Sequence, residues 1–459
     1  MSVSASDGYV TVTYLRHFWS DLSPVRLAMC AAINGFRAPA RETFAYCEVG
    51  CGFGDTTLAL AAAFPKATFV GIDLNPEHIE SATRAAREGE VQNVRFIAGD
   101  FESVTDLETL DYVVAHGVIS WISPEKRKAL VRFASSKLAP GGLAHVGYNA
   151  LPGWAAVEPL RQLIVARGGI DLAKALRDAG ADYFERNPTA KQMLGEIEKA
   201  GPSYLAHEYL NASWVPMYFA QVAAEMAASD LYFVGQLPAH LNFRDLAIPE
   251  SMRSIFASVG DRLGYEGLKD YALNTFFRSD VFIKGKPSPD EGAWLGATPF
   301  GLAGMEPPWT GEAKLPNHTL QYQGPVFDAL VPALREGARA IAELLKRPEL
   351  ASMGEARVRE ALLHLLLGGA ISPFAAPTRA RTVGTEGLRF TSTYNRYVAE
   401  RAASEGVPAV LASSALGNGI RLAKPAAVAL VAQLGALPIP RSAEMTASLA
   451  KLVELGVLE

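Results

Sequence analysis

The chain has 459 residues, 49% hydrophobic and 20% charged, with 43 Lys+Arg against 48 Asp+Glu for a formal net charge of -5. That balance excludes a disordered or collagen-like chain, and its mild acidity argues against a nucleic-acid binder, which would carry a strongly basic face. Three cysteines (Cys30, Cys47, Cys51) make no disulfide framework or metal-ligand spacing. No signal-like N-terminus or membrane-length apolar run is present, so the sequence predicts a cytoplasmic protein with no membrane span and no metal.

Tyr14, Phe18 and Trp19 fall in a predicted N-terminal helix that either lids a ligand or packs into the core. FAYCEVG (44–50) reads as a buried strand running into Cys51-Gly-Phe-Gly54 and a helix, TTLALAAAF. TFVGIDL (68–74) is the second strand. Asn75 then caps a helix that opens with Pro76, and His78 is expected to face solvent. NVRFIAG (93–99) and LDYVVAH (110–116) are strands three and four. A helix over 124–138 and strand GLAHVGYN (142–149) complete an alternation that predicts a doubly wound α/β sheet. Residues 151–229 read as a helical insertion, and LYFVGQL (231–237) and FFRSDVFIKG (276–285) as the sixth and seventh strands of the same sheet. Residues 286–325 are dense in Pro and Gly and read as a linker. Residues 326–459 read as a separate, mainly helical domain whose Leu-x-x-Gly helix ends look winged-helix-like. It is only faintly basic, so docking is favoured over DNA binding.

The chemistry concentrates at Glu48-Val-Gly50-Cys51-Gly52-Phe-Gly54. A glycine turn after a first strand lets a ligand approach the backbone and aims a helix N-terminus at it. Asp73 ends the second strand, where a carboxylate can accept both ribose hydroxyls. Asp100 follows the third, within reach of an adenine amine, with Phe101 to pack on the ring. A dinucleotide site would more often carry a third glycine where this chain has Thr57, and no basic phosphate clamp is evident. A ligand without phosphates fits better.

These residues, with Leu138-Ala-Pro-Gly-Gly142 before the fifth strand, resemble the class I S-adenosylmethionine (AdoMet)-dependent methyltransferases. His116-Gly-Val-Ile-Ser-Trp121, Tyr148-Asn-Ala-Leu-Pro-Gly-Trp154, HEYLNASW and DYALNTFFRSDVFIKG are similar to bacterial members carrying a methyltransferase regulatory domain, which include rickettsial protein-lysine methyltransferases. The resemblance implies a seven-stranded Rossmann-like sheet and AdoMet as cofactor, with S-adenosylhomocysteine (AdoHcy) as product. On it, 1–150 is the AdoMet-binding core with its lid, 151–229 a substrate cap or dimerisation insertion, and 230–285 a regulatory segment completing the sheet. It implies that Glu48 orients the methionine amino end, that Gly50, Cys51, Gly52 and Gly54 make room for the cofactor, that Asp73 and Leu74 hold the ribose side, and that Asp100 and Phe101 frame the adenine. The chain departs from the family at Leu22-Ser23-Pro24 and Asp55-Thr56-Thr57, and the acceptor does not follow from the likeness.

Methyl transfer needs positioning, and an amine acceptor must first lose its proton. Strand carboxyl ends nominate His116, Tyr148 and Asn149 as catalytic candidates, with Trp121, Trp154 and Tyr14 as substrate-binding ones. His116 is a base or a pocket wall; Tyr148 and Asn149 hold the acceptor or brace the Pro-Gly turn; the tryptophans recognise a cation or fill a core. The acceptor is a protein lysine, by resemblance, or a small molecule or peptide enclosed by the aromatic insertion. A non-catalytic AdoMet-binding regulatory partner is the third reading. Ala-rich helices at 220–228 and 329–345 suit a homodimer interface and a monomer core equally.

Overall fold

The computed structural model describes residues 16–39, 42–167, 169–200, 213–302, 311–380, 387–434 and 443–459. Seven strands form one sheet: β1 (Ala45–Val49), β2 (Thr68–Asp73), β3 (Val94–Ala98), β4 (Leu110–His116), β5 (Leu138–Asn149), β6 (Leu231–Gln236) and β7 (Phe277–Lys284). Their spatial order is β3-β2-β1-β4-β5-β7-β6. The first five run parallel, and β7 lies antiparallel between β5 and β6. All five residues of β1 are buried. A central strand covered on both faces reads as a continuous apolar run, which is why FAYCEVG was legible. Strand order reverses between β1 and β4, so the loops after them diverge and open a crevice at the strand carboxyl ends.

Helices α1 (Pro24–Ile33), α2 (Asp55–Ala63) and α3 (Pro76–Glu88) contribute to the core on one face, and α4 (Pro124–Lys137) to the core on the other. Three of these start with the same device. Ser23, Asn75 and Ser123 accept the backbone N–H of Val25 (3.3 Å), Glu77 (2.9 Å) and Lys126 (3.3 Å), and proline follows each cap at the first helical position. Helix α1 begins only at Pro24, and residues 16–19 belong to no helix or strand. Phe18 and Trp19 therefore lie outside a helix, unlike the sequence expectation.

The insertion folds as α5 (Glu158–Arg167), α6 (Gly169–Asp178), α7 (Asp182–Arg186) and α8 (Pro188–Ala200) around a core of its own. Helix α9 (Phe219–Ala227) returns to the sheet, burying Val222 and Met226 beside Tyr148 and Phe282, and α10 (Arg262–Leu273) packs against it.

Two expectations for the C-terminal half are corrected. The Pro/Gly-rich stretch 286–325 is not a linker, because Trp294, Phe300 and Tyr322 are buried in the largest core cluster. Residues 326–459 are not a separate domain either. Helices α11 (Pro325–Arg335), α12 (Glu355–Leu367) and α13 (Thr393–Glu405) share that cluster with α1 and α2, and the hairpin β8 (Ala409–Ser413)–β9 (Asn418–Leu422) lies on α2. Ser23 Oγ donates to the Gly417 carbonyl at 2.6 Å, and Arg421 donates to the Phe18 carbonyl at 2.6 Å. The helix ends expected to lead into wings instead close a two-residue antiparallel ladder, Ser372–Pro373 on Phe300–Gly301, and an isolated bridge, Leu458 on Phe390. Composition marks turns, but it does not reveal which turns are overlaid by apolar residues distant in sequence.

Candidate functional site

The glycine turn is built for close approach. Gly50, Gly52 and Gly54 have φ of 75°, 52° and 71°. A Cβ at Gly50 would lie 2.6 Å from Val118 Cγ2, and one at Gly54 2.6 Å from the Phe96 ring and 2.9 Å from Ala82. Only glycine takes this backbone without strain in this space. Gly54 leads into α2, so the first N–H groups of that helix face the turn. Cys51 is buried in the turn, and burial raises its thiol well above the ordinary value, which leaves it a packing residue.

Glu48 is 4% exposed directly behind this turn and accepts a hydrogen bond from the Thr57 hydroxyl. Burial pushes its carboxyl up to about 8, with Thr57 opposing the shift and Asp73 and Asp55 adding to it. Asp73, 2% exposed, accepts the Gly52 N–H at 2.8 Å through Oδ2 and the Asn75 N–H at 2.9 Å through Oδ1. It therefore ties the end of β2 to the glycine turn. His78, expected in solvent, is 1% exposed with Nδ1 at 3.4 Å from Asp73 and its ring 4.4 Å from Phe53. The helical spacing places it on the inner face of α3 beneath the turn. Leu74, the next residue, is exposed.

Asp100 accepts the Glu102 N–H at 3.0 Å, and its second oxygen meets the Lys126 ammonium, which also contacts Glu102. Phe101 is buried and lies 5.8 Å from Phe133 across α4. It braces the core under Asp100, with the Lys126 ammonium 5.8 Å over its ring.

Across the crevice, His116 ends β4 inside a row of rings. Trp19 lies at 4.0 Å, Phe277 at 5.1 Å and His145 at 5.7 Å, with His17 3.9 Å beyond Trp19. His116 Nδ1 is buried and has no hydrogen-bond partner among the described residues. Burial drives its pKa down to about 3, so the imidazole is neutral and a weak proton acceptor. Asn149, at the end of β5, likewise leaves Nδ2 buried without a partner, while its backbone N–H donates to Ser120 Oγ at 2.9 Å. Segment 16–19 straps this side down: Arg16 pairs with Asp55 at 2.6 Å, donates to Ser81 at 2.9 Å and stands 4.4 Å over the Phe53 ring.

Other expected site residues lie elsewhere. Tyr148 is fully buried, and its hydroxyl donates to Asp280 at 2.7 Å. Asp280 is held by Arg278, which also pairs with Asp270 and Glu266, and Lys269 pairs with Glu266. Alternation along β5 sends Tyr148 to the α9 side. Trp154 is no exposed wall, since it is 6% exposed in the insertion core, 5.1 Å from Trp214. Trp121 is half-buried against the same core. Tyr14 lies outside the described residues. Sequence reasoning missed Thr57, Lys126 and Phe277. Thr57 was findable, because its place in the first turn of α2 points it back at β1. Phe277 pairs with Asn149 only through the antiparallel register of β7, which no local signal carries.

The described residues contain no group of three or more His, Cys, Asp or Glu side chains suited to a metal. A glycine turn that admits no Cβ, an unpaired buried carboxyl behind it and an uncharged, ring-lined wall with orphaned nitrogens across from it fit AdoMet. Together with the sheet order they define an AdoMet-dependent methyltransferase. The "Methyltransferase domain" family matches residues 47–142 and the "Predicted methyltransferase regulatory domain" family residues 201–284. An uncharacterized protein of Synechocystis is 32% identical over 437 residues, which is 90% of this chain and 85% of that one. An uncharacterized protein of Rickettsia prowazekii is 26% identical over 297 residues, 61% of this chain and 53% of that one. PKMT2 from Rickettsia typhi in complex with AdoHcy shares the fold, with a TM-score of 0.68 at 21% identity, covering 90% of this chain and 86% of that one. The chain belongs to the family of methyltransferases that carry a methyltransferase regulatory domain.

Proposed function

We propose that the chain methylates an amine presented from outside, a protein lysine, at the mouth formed by His116, Asn149, Trp19 and Phe277. The observation that carries this reading is the fate of the insertion aromatics. Trp154 and Trp214, the residues suited to enclosing a small apolar substrate, are engaged in the insertion's own core. What faces the crevice is an uncharged rim in which Phe277 remains 40% exposed, a wall against which a lysine side chain can lie.

In this reading Glu48 meets the amino end of the cofactor, and Gly50, Cys51, Gly52 and Gly54 admit it. Asp73 and Leu74 border the ribose, and Asp100, held by Lys126, faces the adenine. AdoMet supplies the methyl sulfonium. A lysine ammonium entering this rim loses its hydration, which lowers its pKa and favours the neutral nucleophile. Because His116 Nδ1 and Asn149 Nδ2 are buried, the neutral His116 meets that amine with the remainder of its ring, and Asn149 braces the wall behind it. His116 is thus a positioning wall, not a base. The resemblance to rickettsial protein-lysine methyltransferases supports the same acceptor class.

The test is transfer of radiolabelled methyl from AdoMet into size-fractionated lysate. Label in protein, recovered as methyl-lysine after hydrolysis, is the expected outcome. Label confined to small molecules would refute the acceptor, and no label despite AdoMet binding would refute catalysis.

A further inference from the structure

The surroundings of Glu48 hold an electrostatic imbalance that the cofactor assignment does not by itself explain. Glu48 forms no ion pair among the described residues, and Thr57 supplies its hydrogen bonds through the hydroxyl and the backbone N–H. The other titratable groups around it are Tyr46 and Cys47 from β1, Cys51 from the turn, Asp73 from β2 and Asp55 from α2. Arg16 is paired with Asp55, Arg401 also acts on Asp55, and His78 lies beyond Asp73. Three carboxyl groups therefore crowd the glycine turn, and the guanidinium groups serve Asp55 and not Glu48, with Glu48 and Asp73 4% and 2% exposed. A buried carboxyl without a cation holds its proton, because charging it in a dry site costs more than one hydroxyl contact returns.

We propose that Glu48 is protonated in the free protein and that binding a ligand with an amino-acid end expels that proton to solvent. This rests on the reading that Glu48 meets the amino end of the cofactor. The exchange balances: the neutral Glu48 carboxyl and a ligand ammonium become a carboxylate–ammonium pair, and one proton leaves for water. No covalent bond other than the carboxyl O–H breaks. Thr57 acts as a positioning residue, holding one Glu48 oxygen toward α2 so that the other is left for the ammonium. The upward shift of Glu48 to about 8 sets the range: below it, each unit of falling pH weakens ligand binding by nearly tenfold.

The experiment is calorimetry of AdoHcy binding to the full chain at pH 7, in phosphate and in Tris, whose ionisation enthalpies differ widely. The expected result is a buffer-dependent heat corresponding to about one proton released. 5′-Methylthioadenosine, which lacks the amino-acid end, should bind with no buffer dependence. Glu48→Gln, neutral and of the same shape, should bind AdoHcy more weakly, without proton release and with a Kd flat between pH 6 and 8. Tight AdoHcy binding with equal heats in both buffers would overturn the proposal while leaving the cofactor site intact. Release that persists in Glu48→Gln would assign the proton to another group and also overturn it. No AdoHcy binding by the wild-type chain would overturn the cofactor reading with it.

Discussion

Tyr148→Phe separates a residue that reacts from one that holds the scaffold. The substitution keeps the ring among Ala150, Met217 and Val222 and deletes only the hydroxyl that donates to Asp280 at 2.7 Å. A hydrogen bond to a charged group contributes about 1.5–3 kcal/mol. Asp280 would not be orphaned, because Arg278 Nε reaches both its oxygens at 3.1 and 2.9 Å and a second guanidinium nitrogen reaches one at 2.9 Å. The loss should therefore fall at the low end, about 1.5–2 kcal/mol. With a urea m-value of about 3 kcal/mol/M for a large chain, the unfolding midpoint should drop by about 0.5–0.7 M. AdoHcy affinity should stay within about twofold and saturated turnover within about threefold, since the hydroxyl lies on the α9 side of the sheet. An unchanged midpoint would refute the hydrogen bond. A turnover loss beyond about tenfold at an unchanged midpoint would place the hydroxyl in the reaction and refute its structural assignment.

Gly54→Ala forces a left-handed backbone worth about 1–2 kcal/mol and pushes a methyl against Phe96 and Ala82; AdoHcy binding by calorimetry should weaken at least about tenfold, and undiminished binding counts against the cradle. Burial keeps His116 neutral above about pH 3, so the stability its neutral form contributes is complete above the ordinary value of 6.5 and fades as pH falls toward 3. The kcat/KM profile between pH 5.5 and 8 should accordingly have the same shape in His116→Asn as in wild type, at a lower level; a bend near 6.5 that vanishes in the variant would restore His116 as a base. Gly417→Ala, with φ of 63° and Phe64, Val25 and Ala375 within 2.9 Å of the added carbon, should lower the unfolding midpoint as measured by Trp fluorescence and AdoHcy binding together. Loss of one signal without the other would show that the two halves unfold separately.

The sheet was readable because its central parallel strands, buried on both faces, leave continuous apolar runs, and because Asn75-Pro76 announces a helix start. The glycine turn, Glu48 and Asp73 were readable because they sit within one β-α-β unit, where spacing fixes position. What escaped depends on long-range registry. Lys126 reaches Asp100 from α4, beyond the next strand, and Phe277 reaches His116 only because β7 reverses beside β5. Alternation cannot say which face of β5 carries the site, and so Tyr148 and Asn149 were nominated together although consecutive side chains point apart. The C-terminal half was misread for a related reason. A sequence shows that Trp294 and Phe300 are apolar, but not that α1 is what they cover.

The core shared by α1, α2 and the hairpin β8–β9 has a consequence for synthesis. Helices α1 and α2 leave the ribosome with an apolar face whose partners, Trp294 over α1 and Val410 and Ala412 over α2, lie some three hundred residues later. At about 5–20 residues per second, that face waits on the order of 15–60 s before its natural cover exists. Nascent chains of this protein should therefore be heavy clients of holdase chaperones until the hairpin emerges. A stalled or prematurely stopped chain would end as a sticky, unclosed sheet and not as a smaller working enzyme.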